Sequence, residues 1–523
     1  MSLTTGLSWN ESERSHRLMT LIVLLLGIYS LFWGEKVSAG NGLGWDGSQY
    51  AALVRDFGSL ISAGQLGSYY AQRILPSAIV HGMLRFAGAA NSNENIIRSF
   101  ELYNLLLIVG ATLIWKRIAE KLSLSIAGRW IGFGGIFLNF ASSKQAFFYP
   151  VLTDVTALFT GMLLMLLYLE RRAASLLVTT VVVAFAWPVV SVCGAFLLVF
   201  LQSQLPKHVI TPAVGQHRKT PLFIARLVAF GGGAVLVFSV VSYVLLIRDN
   251  ASAEHACELP TLLASGVTVN VVPCTFERLL TGLPSLAALA FAMALLIGSF
   301  AFFSATVLCL RKAPAHLVVL AIVAVVGPFL VVKAISNPAI DNPSNVQRLI
   351  EFMLLPPSGK FLLPLVTLTS FWGPLVLLLC YYWRECCIEA RRLGPGVVAI
   401  LFVSLPLCIA SEPRFVTLAW PFFVLTLVLT LERSGAMVPS RFALIALTIA
   451  YGQFWLPINI VSWQPPDFDG LLDFPKQLYF MHYGLFMSWA SYFIQLLALV
   501  LSALWLYSSA ERSKHRLERL QPS

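Results

Sequence analysis

Residues 18–50 read LMTLIVLLLGIYSLFWGEKVSAGNGLGWDGSQY. An apolar run stops at a glycine and a charged pair, then gives way to a glycine-rich stretch around a single carboxylate. A bilayer crossing needs roughly 20 mainly apolar residues, and the first half of this stretch supplies one. The second half, with Glu35, Lys36 and Asp46, is too polar to follow it into hydrocarbon. The contrast decides the fold class: a membrane segment followed by a wet loop.

The rest of the chain repeats that contrast. With 58% hydrophobic residues, 12% charged and a mean hydropathy of +0.78, there is too little polar surface for a soluble globule. The expected fold is all-α, a polytopic transmembrane helical bundle of about 14 spans. They are placed at 18–34, 98–115, 126–143, 151–169, 175–186, 188–201, 222–247, 284–310, 315–335, 361–383, 396–411, 414–432, 441–461 and 484–508. The fifth and sixth are halves of one apolar run, divided at Trp187-Pro188 and read as a tight hairpin.

Orientation follows from the basic residues, which favour the cytoplasmic side of the membrane. Arg14, Arg17, Lys116, Arg117, Lys121, Arg171, Arg172, Arg311, Lys312, Arg391 and Arg392 share one side when both termini are cytoplasmic. The net charge of +11 is then a topology signal, and no nucleic-acid partner is expected. Three regions are expected: a core with the first outer loop over 1–201, a cytoplasmic loop over 202–221, and further helices and outer loops over 222–523. The first apolar run lacks a small-residue cleavage pattern before GWDG and reads as a signal anchor. Among the 8 cysteines, only Cys257 and Cys274 share an outer loop, where an oxidising compartment allows a bond between them.

An ionisable group near the bilayer midplane costs roughly 2.5–3.5 kcal/mol on insertion scales. Here such groups gather at span ends and in outer loops, so the working surface is expected on the outer face. The first outer loop holds the densest mixture. Asp46 is followed by Gly47 and Tyr50, ALVRDF opens a short helix, and SYYAQRILPSAIVHGMLRF has the spacing of an amphipathic interfacial helix. Asp46 is read in two ways, as a helix cap or as a chemical group presented to a lipid-borne substrate.

WDGSQY shortly after the first span resembles the W-D-x-x-[FYW] signature of the glycosyltransferase C superfamily. The nearest branch in pattern is that of the glycosylphosphatidylinositol mannosyltransferases and their bacterial relatives. FYPVLTDVTALFTGMLLMLLYLERR is similar to the segment carrying a Y-P turn, an acid and a span ending in basic residues. AFAWPVVSVCGAFLLV resembles the following hairpin, and EPRFVTLAWPFFVL a late E-x-R-Y turn. Together these cover roughly the first 200 residues and one late patch. Two departures stand out: Trp187 where many relatives have Arg, and QRILP where close eukaryotic relatives have F-F-P.

The resemblance implies an inverting glycosyltransferase of a bacterial cytoplasmic (inner) membrane, with its active site on the outer face. A polyprenyl-phosphate-linked sugar is the donor, and a glycan, lipid or protein hydroxyl is the acceptor. Membrane lipids surround it. Asp46 becomes the general base or acceptor-orienting group, and Gly47 allows close backbone approach. Arg73, Lys144, Arg348 and Arg414 are the outer cations for an anionic phosphate, with headgroup-facing bases as the alternative. Asp154 is a second acid for acceptor hydroxyls or a cap of the fourth span. Glu412 pairs with Arg414 or binds substrate. Tyr50 and Tyr149 stack on sugar or fill the interfacial aromatic belt. The resemblance fixes no cofactor and leaves a divalent cation open.

Other signals are weaker. Asp467-x-Asp469 reads as a solvated turn, the glycines at 231–233 as a helix-packing site, and His482 as the one histidine worth testing. No phosphate-binding P-loop or zinc spacing is present. Two competing readings are a polymerase or ligase of lipid-linked glycans, which would lean on Arg348, and a lipid flippase without chemistry.

Overall fold

A computed structural model of the chain describes residues 9–44, 46–202, 309, 313–337, 340, 362–409, 412–433, 441–458, 487 and 489–520. Among them every regular element is helical. Numbered in chain order, the helices are α1 (Trp9–Trp33), α2 (Asp46–Arg55), α3 (Phe57–Ser62), α4 (Ser68–Ala71), α5 (Ile74–Phe86), α6 (Asn93–Lys121), α7 (Ile126–Phe137), α8 (Ala146–Phe148), α9 (Asp154–Leu169), α10 (Ala173–Val183) and α11 (Val189–Val199). After them come α12 (Ala315–Ile335), α13 (Leu363–Trp372), α14 (Leu375–Tyr381), α15 (Trp383–Leu393), α16 (Pro395–Ile409), α17 (Trp420–Arg433), α18 (Arg441–Gly452) and α19 (Trp489–Leu520).

Four of these are long and apolar enough to cross a membrane: Glu11–Trp33 in α1, Asn93–Lys121, Ala315–Ile335 and Ser491–Ser509 in α19. Shorter apolar helices include α9, α10, α11 and α13. On α12 the side chains of Val319, Ile322, Val323, Phe329 and Leu330 are exposed. An apolar face exposed in this way fits lipid as its solvent.

Helix boundaries follow local chemistry. Ser92 and Ser125 precede α6 and α7, and their hydroxyls accept from the backbone N–H groups of Asn95 and Gly128, satisfying donors that a helix start leaves unpaired. The expected continuous span over 361–383 is broken. Gly373, at φ +84, ends α13, and Pro374, lacking an N–H, precedes α14, because the pair cannot continue a helical ladder. The expected span over 126–143 likewise ends early, at Phe137, and a π-turn occupies Ala141–Gln145.

One hydrophobic core joins the first part of the chain to the last. Trp115, Phe133, Met162 and Leu197 belong to the same buried cluster as Trp372, Phe422 and Val424. A second cluster sits under the loop after α1 and includes Val37, Leu43, Tyr50, Val54, Val80 and Tyr149. On α5 the buried face is Ile74, Ser77, Val80 and Leu84, while Ile79 and Phe86 are exposed. The helix is amphipathic, with one face against the second cluster and the other turned outward.

Polar groups lie in two layers at opposite ends of the helices. One layer contains Glu13 with Lys116 and Arg17, Glu170 with Arg117 and Arg172, and Glu389 with Arg392 and Arg433. It also holds Arg129, buried within an expected span and bonded to Ser12, His16 and the Leu124 carbonyl. The other layer contains Lys36 with Glu101, Lys144 with Glu35, and Asp46 with Arg414. Helices α2 to α5 sit on that second end, which holds the candidate site.

Candidate functional site

The site begins with the glycines around the first carboxylate. Gly44 takes φ +69, and a Cβ there would lie 2.3 Å from Tyr149 Cζ. The left-handed conformation and the close approach both require glycine. Gly47 presents its N–H to the Tyr149 hydroxyl at 3.2 Å, and its own Cβ would stand 3.2 Å from Tyr149 and Val151. The Val37 N–H bonds the Phe148 carbonyl at 2.8 Å. The loop after α1 is thus seated on the segment before α9.

Asp46 is the first residue of α2, and its carboxylate turns to other elements. The Tyr69 hydroxyl on α4 donates to Asp46 Oδ2 at 3.4 Å, and Arg414 Nη2 lies 3.9 Å from the same oxygen. Arg414 Nε donates to Glu412 Oε2 at 2.8 Å. Arg414 sits in the 3-10 turn Pro413–Val416, which is anchored by a 2.9 Å bond from Trp372 Nε1 to the Pro413 carbonyl. Trp372 in turn stacks on Trp420 at 4.8 Å. Arg73 lies with its guanidinium 3.9 Å over the Tyr69 ring and donates to the Tyr69 carbonyl at 2.9 Å.

Burial pushes the Tyr69 phenol above its ordinary value, and the Asp46 carboxylate pushes in the same direction. Burial and the neighbouring Tyr69 hold Tyr50 well above it too. Tyr69 therefore stays protonated and serves as a donor to Asp46.

Beside this layer lies a narrow cavity, and Asn104, Gln145, Tyr149, Asp154, Phe371 and Trp372 are among its lining residues. Asp154 as a residue is only half-buried, yet both carboxylate oxygens are cut off from solvent and have no hydrogen-bond partner among the described residues. It starts α9 without acting as a cap, since the preceding Thr153 is the cap residue and makes no side-chain cap bond. Arg414, Glu412 and Asp46 are close enough to act on it electrostatically.

The sequence-derived candidates therefore separate. Asp46, Arg73, Asp154, Glu412 and Arg414 converge, and Glu412 pairs with Arg414. Lys144 does not join them. It donates to Glu35 Oε2 at 2.9 Å, and the same oxygen accepts the Ile458 N–H at 2.9 Å. Tyr50 is neither a stacking platform nor a belt residue, because it is 2% exposed and packs edge-on against Tyr70. Tyr149 is buried as well, away from any interfacial belt, and links Gly47 to the cavity wall. Arg348, His482, Cys257, Cys274, Asp467 and Asp469 lie outside the described residues, as do the glycines at 231–233.

Tyr69, Asn104, Gln145 and Glu35 are absent from the sequence-derived set. Asn104 and Glu101 lie on the buried stripe of α6, so helical spacing of polar residues inside an apolar run is the signal that marks Asn104. Tyr69 carries no such signal. Among the described residues no three His, Cys, Asp or Glu side chains come together as a metal-ligand set.

Comparison with protein-family models, with curated proteins and with solved structures finds no match for this chain. What the arrangement can do rests on its own geometry: a partly exposed carboxylate with a phenol donor and the Arg414 guanidinium beside it, a second guanidinium, that of Arg73, over the phenol ring, and a polar cavity adjoining.

Proposed function

We propose that the chain is a membrane glycosyltransferase that moves a sugar from a polyprenyl-phosphate donor to an acceptor hydroxyl. The observation that carries this reading is the approach of Asp46 to Arg414 at 3.9 Å. These residues come from WDG and EPRF, two patches of the glycosyltransferase C resemblance that stand at opposite ends of the chain. In this reading the chain has about 14 spans and cytoplasmic termini, and the loop end faces out of a bacterial inner membrane.

The chemistry is an inverting displacement. Asp46 accepts the proton of the acceptor hydroxyl, the hydroxyl oxygen attacks the anomeric carbon, and the bond from that carbon to the phosphate oxygen breaks. The electron pair leaves with polyprenyl phosphate. Because the leaving group is already an anion, it needs cations more than a proton donor, unlike the paired acids of glycoside hydrolysis. Tyr69 and Arg414 orient Asp46, and Arg73 offers remaining guanidinium donors to the phosphate.

The test uses the full chain in lipid nanodiscs with radiolabelled polyprenyl-phosphate hexoses and a cell-derived acceptor fraction. Asp46→Asn lowers transfer by at least about 10²-fold, the scale of a lost general base, while donor binding persists. Arg73→Gln raises the donor KM. Undiminished transfer by Asp46→Asn sinks the assignment.

A further inference from the structure

We propose that the cavity lined by Asn104, Gln145 and Asp154 is a saccharide subsite that reads the hydroxyl-bearing edge of a sugar ring. It deepens the glycosyl-transfer reading and rests on it for the ligand class. Asn104 is 1% exposed and Gln145 is 3% exposed. The Asn104 amide nitrogen donates to the carbonyls of Ala146 and Pro150 at 2.8 and 2.9 Å, so its orientation is fixed and Oδ1 is left as an acceptor. That Oδ1, both amide atoms of Gln145 and both carboxylate oxygens of Asp154 have no partner among the described residues.

A buried polar atom without a partner costs about 1–3 kcal/mol, so several such atoms around one cavity require an explanation. The set has a specific composition: four acceptor oxygens and one amide donor, with no cation contributed to the lining. Hydroxyl groups satisfy both kinds, donating to Asp154, Asn104 Oδ1 and Gln145 Oε1 and accepting from Gln145 Nε2. A phosphate, which needs donors, does not fit. Tyr149, Phe371 and Trp372 complete the walls, giving the mixture of apolar ring faces and a few convergent polar groups that small-molecule sites use. The cavity is narrow, so only a hydroxyl-bearing edge of the ring enters it. Tyr149, bonded to the Gly47 N–H, is shared between cavity and Asp46 helix, placing the ring next to the reacting carboxylate.

The experiment titrates methyl α-D-mannoside, methyl α-D-glucoside and methyl α-D-galactoside into the full chain in nanodiscs and follows tryptophan fluorescence, with Trp372 in the wall. At least one hexoside gives a saturable change, weakened at least tenfold in Gln145→Leu and retained in Asp46→Asn. Gln145→Leu removes two unpartnered amide atoms and so preserves or raises thermal stability, which separates lost binding from lost folding. Asn104→Leu serves only as support, since Asn104 also holds two backbone carbonyls. No saturable response to any hexoside, or an unchanged response in Gln145→Leu, overturns the subsite. Hexoside binding without any transfer activity overturns the glycosyl-transfer reading and leaves the subsite standing. Transfer with an unaltered sugar KM in Gln145→Leu does the reverse.

Discussion

Gly44→Ala is the substitution whose cost the structure fixes most directly. At φ +69, a side-chain-bearing residue pays about 1–2 kcal/mol for the left-handed conformation. The new Cβ would also stand 2.3 Å from Tyr149 Cζ and 2.6 Å from its hydroxyl, an overlap that overpacking studies place at about 1–3 kcal/mol. The expected destabilisation is therefore roughly 2–5 kcal/mol. Gly47→Ala makes the comparison. Its backbone is ordinary helix, its nearest contacts are at 3.2 Å, and alanine gains about 0.5–1 kcal/mol over glycine in a helix, so the net change stays within about 1 kcal/mol. Equilibrium unfolding in mixed micelles, followed by circular dichroism, measures both. Tyr149→Ala in the Gly44→Ala background recovers part of the loss, with a coupling above about 1 kcal/mol. Equal losses at the two glycines, or additive effects of Gly44→Ala and Tyr149→Ala, would refute the account of how WDG is seated.

Three further outcomes are expected. Lys144→Met lowers stability by about 1–2 kcal/mol, less than the roughly 3–5 of a fully buried pair because Glu35 is partly exposed and keeps the Ile458 N–H; the donor KM measured in the same preparation does not move. Gly161→Ala on α9 drives a Cβ to 2.1 Å from the Leu418 carbonyl oxygen, and since backbone yields little, the turn bearing Arg414 shifts and transfer falls at least tenfold while the helical circular dichroism persists. The raised phenols of Tyr50 and Tyr69 make folding stability full below the unfolded tyrosine value of about 10 and progressively lost above it, because the unfolded chain releases protons that the folded chain retains. Tyr69→Phe flattens that decline in unfolding measurements between about pH 10 and 12, and an unchanged slope counts against burial of the phenol.

What was legible in the sequence was whatever broke a pattern. Asp46 stands between glycines just past an apolar run, and Arg414 stands between two apolar segments beside Glu412, so each is conspicuous where lipid-facing sequence is monotonous. The helical character of the chain was legible for the same reason. The break between α13 and α14 was not, since Gly373-Pro374 carries no charge and has long apolar stretches on both sides. Asn104, inside an apolar stretch, and Gln145, beside the charged Lys144, were obscured because neutral amides leave charge tallies unchanged. Lys144 shows the opposite failure. A lone base at an outer turn fits phosphate as well as it fits a carboxylate, and only the position of Glu35 decides between them.

The arginines are not interchangeable in this site, and the reason is electrostatic. Arg414 faces Glu412 at 2.8 Å through Nε and Asp46 at 3.9 Å through Nη2, with Asp154 also within its field. Its charge is answered before any substrate arrives. A phosphate approaching Arg414 would meet Asp46, Glu412 and Asp154 as well, and like charges in a partly desolvated site repel. Arg73 is placed differently, stacked on Tyr69 and bonded to a backbone carbonyl, a neutral acceptor that leaves the guanidinium charge uncompensated by that bond. The division of labour is then that Arg414 holds the carboxylates in position while Arg73 meets the anion. A lysine at 414 would present one point charge where the planar fork serves two carboxylates from separate nitrogens, so the geometry of the guanidinium, beyond its charge, ties the EPRF turn to Asp46.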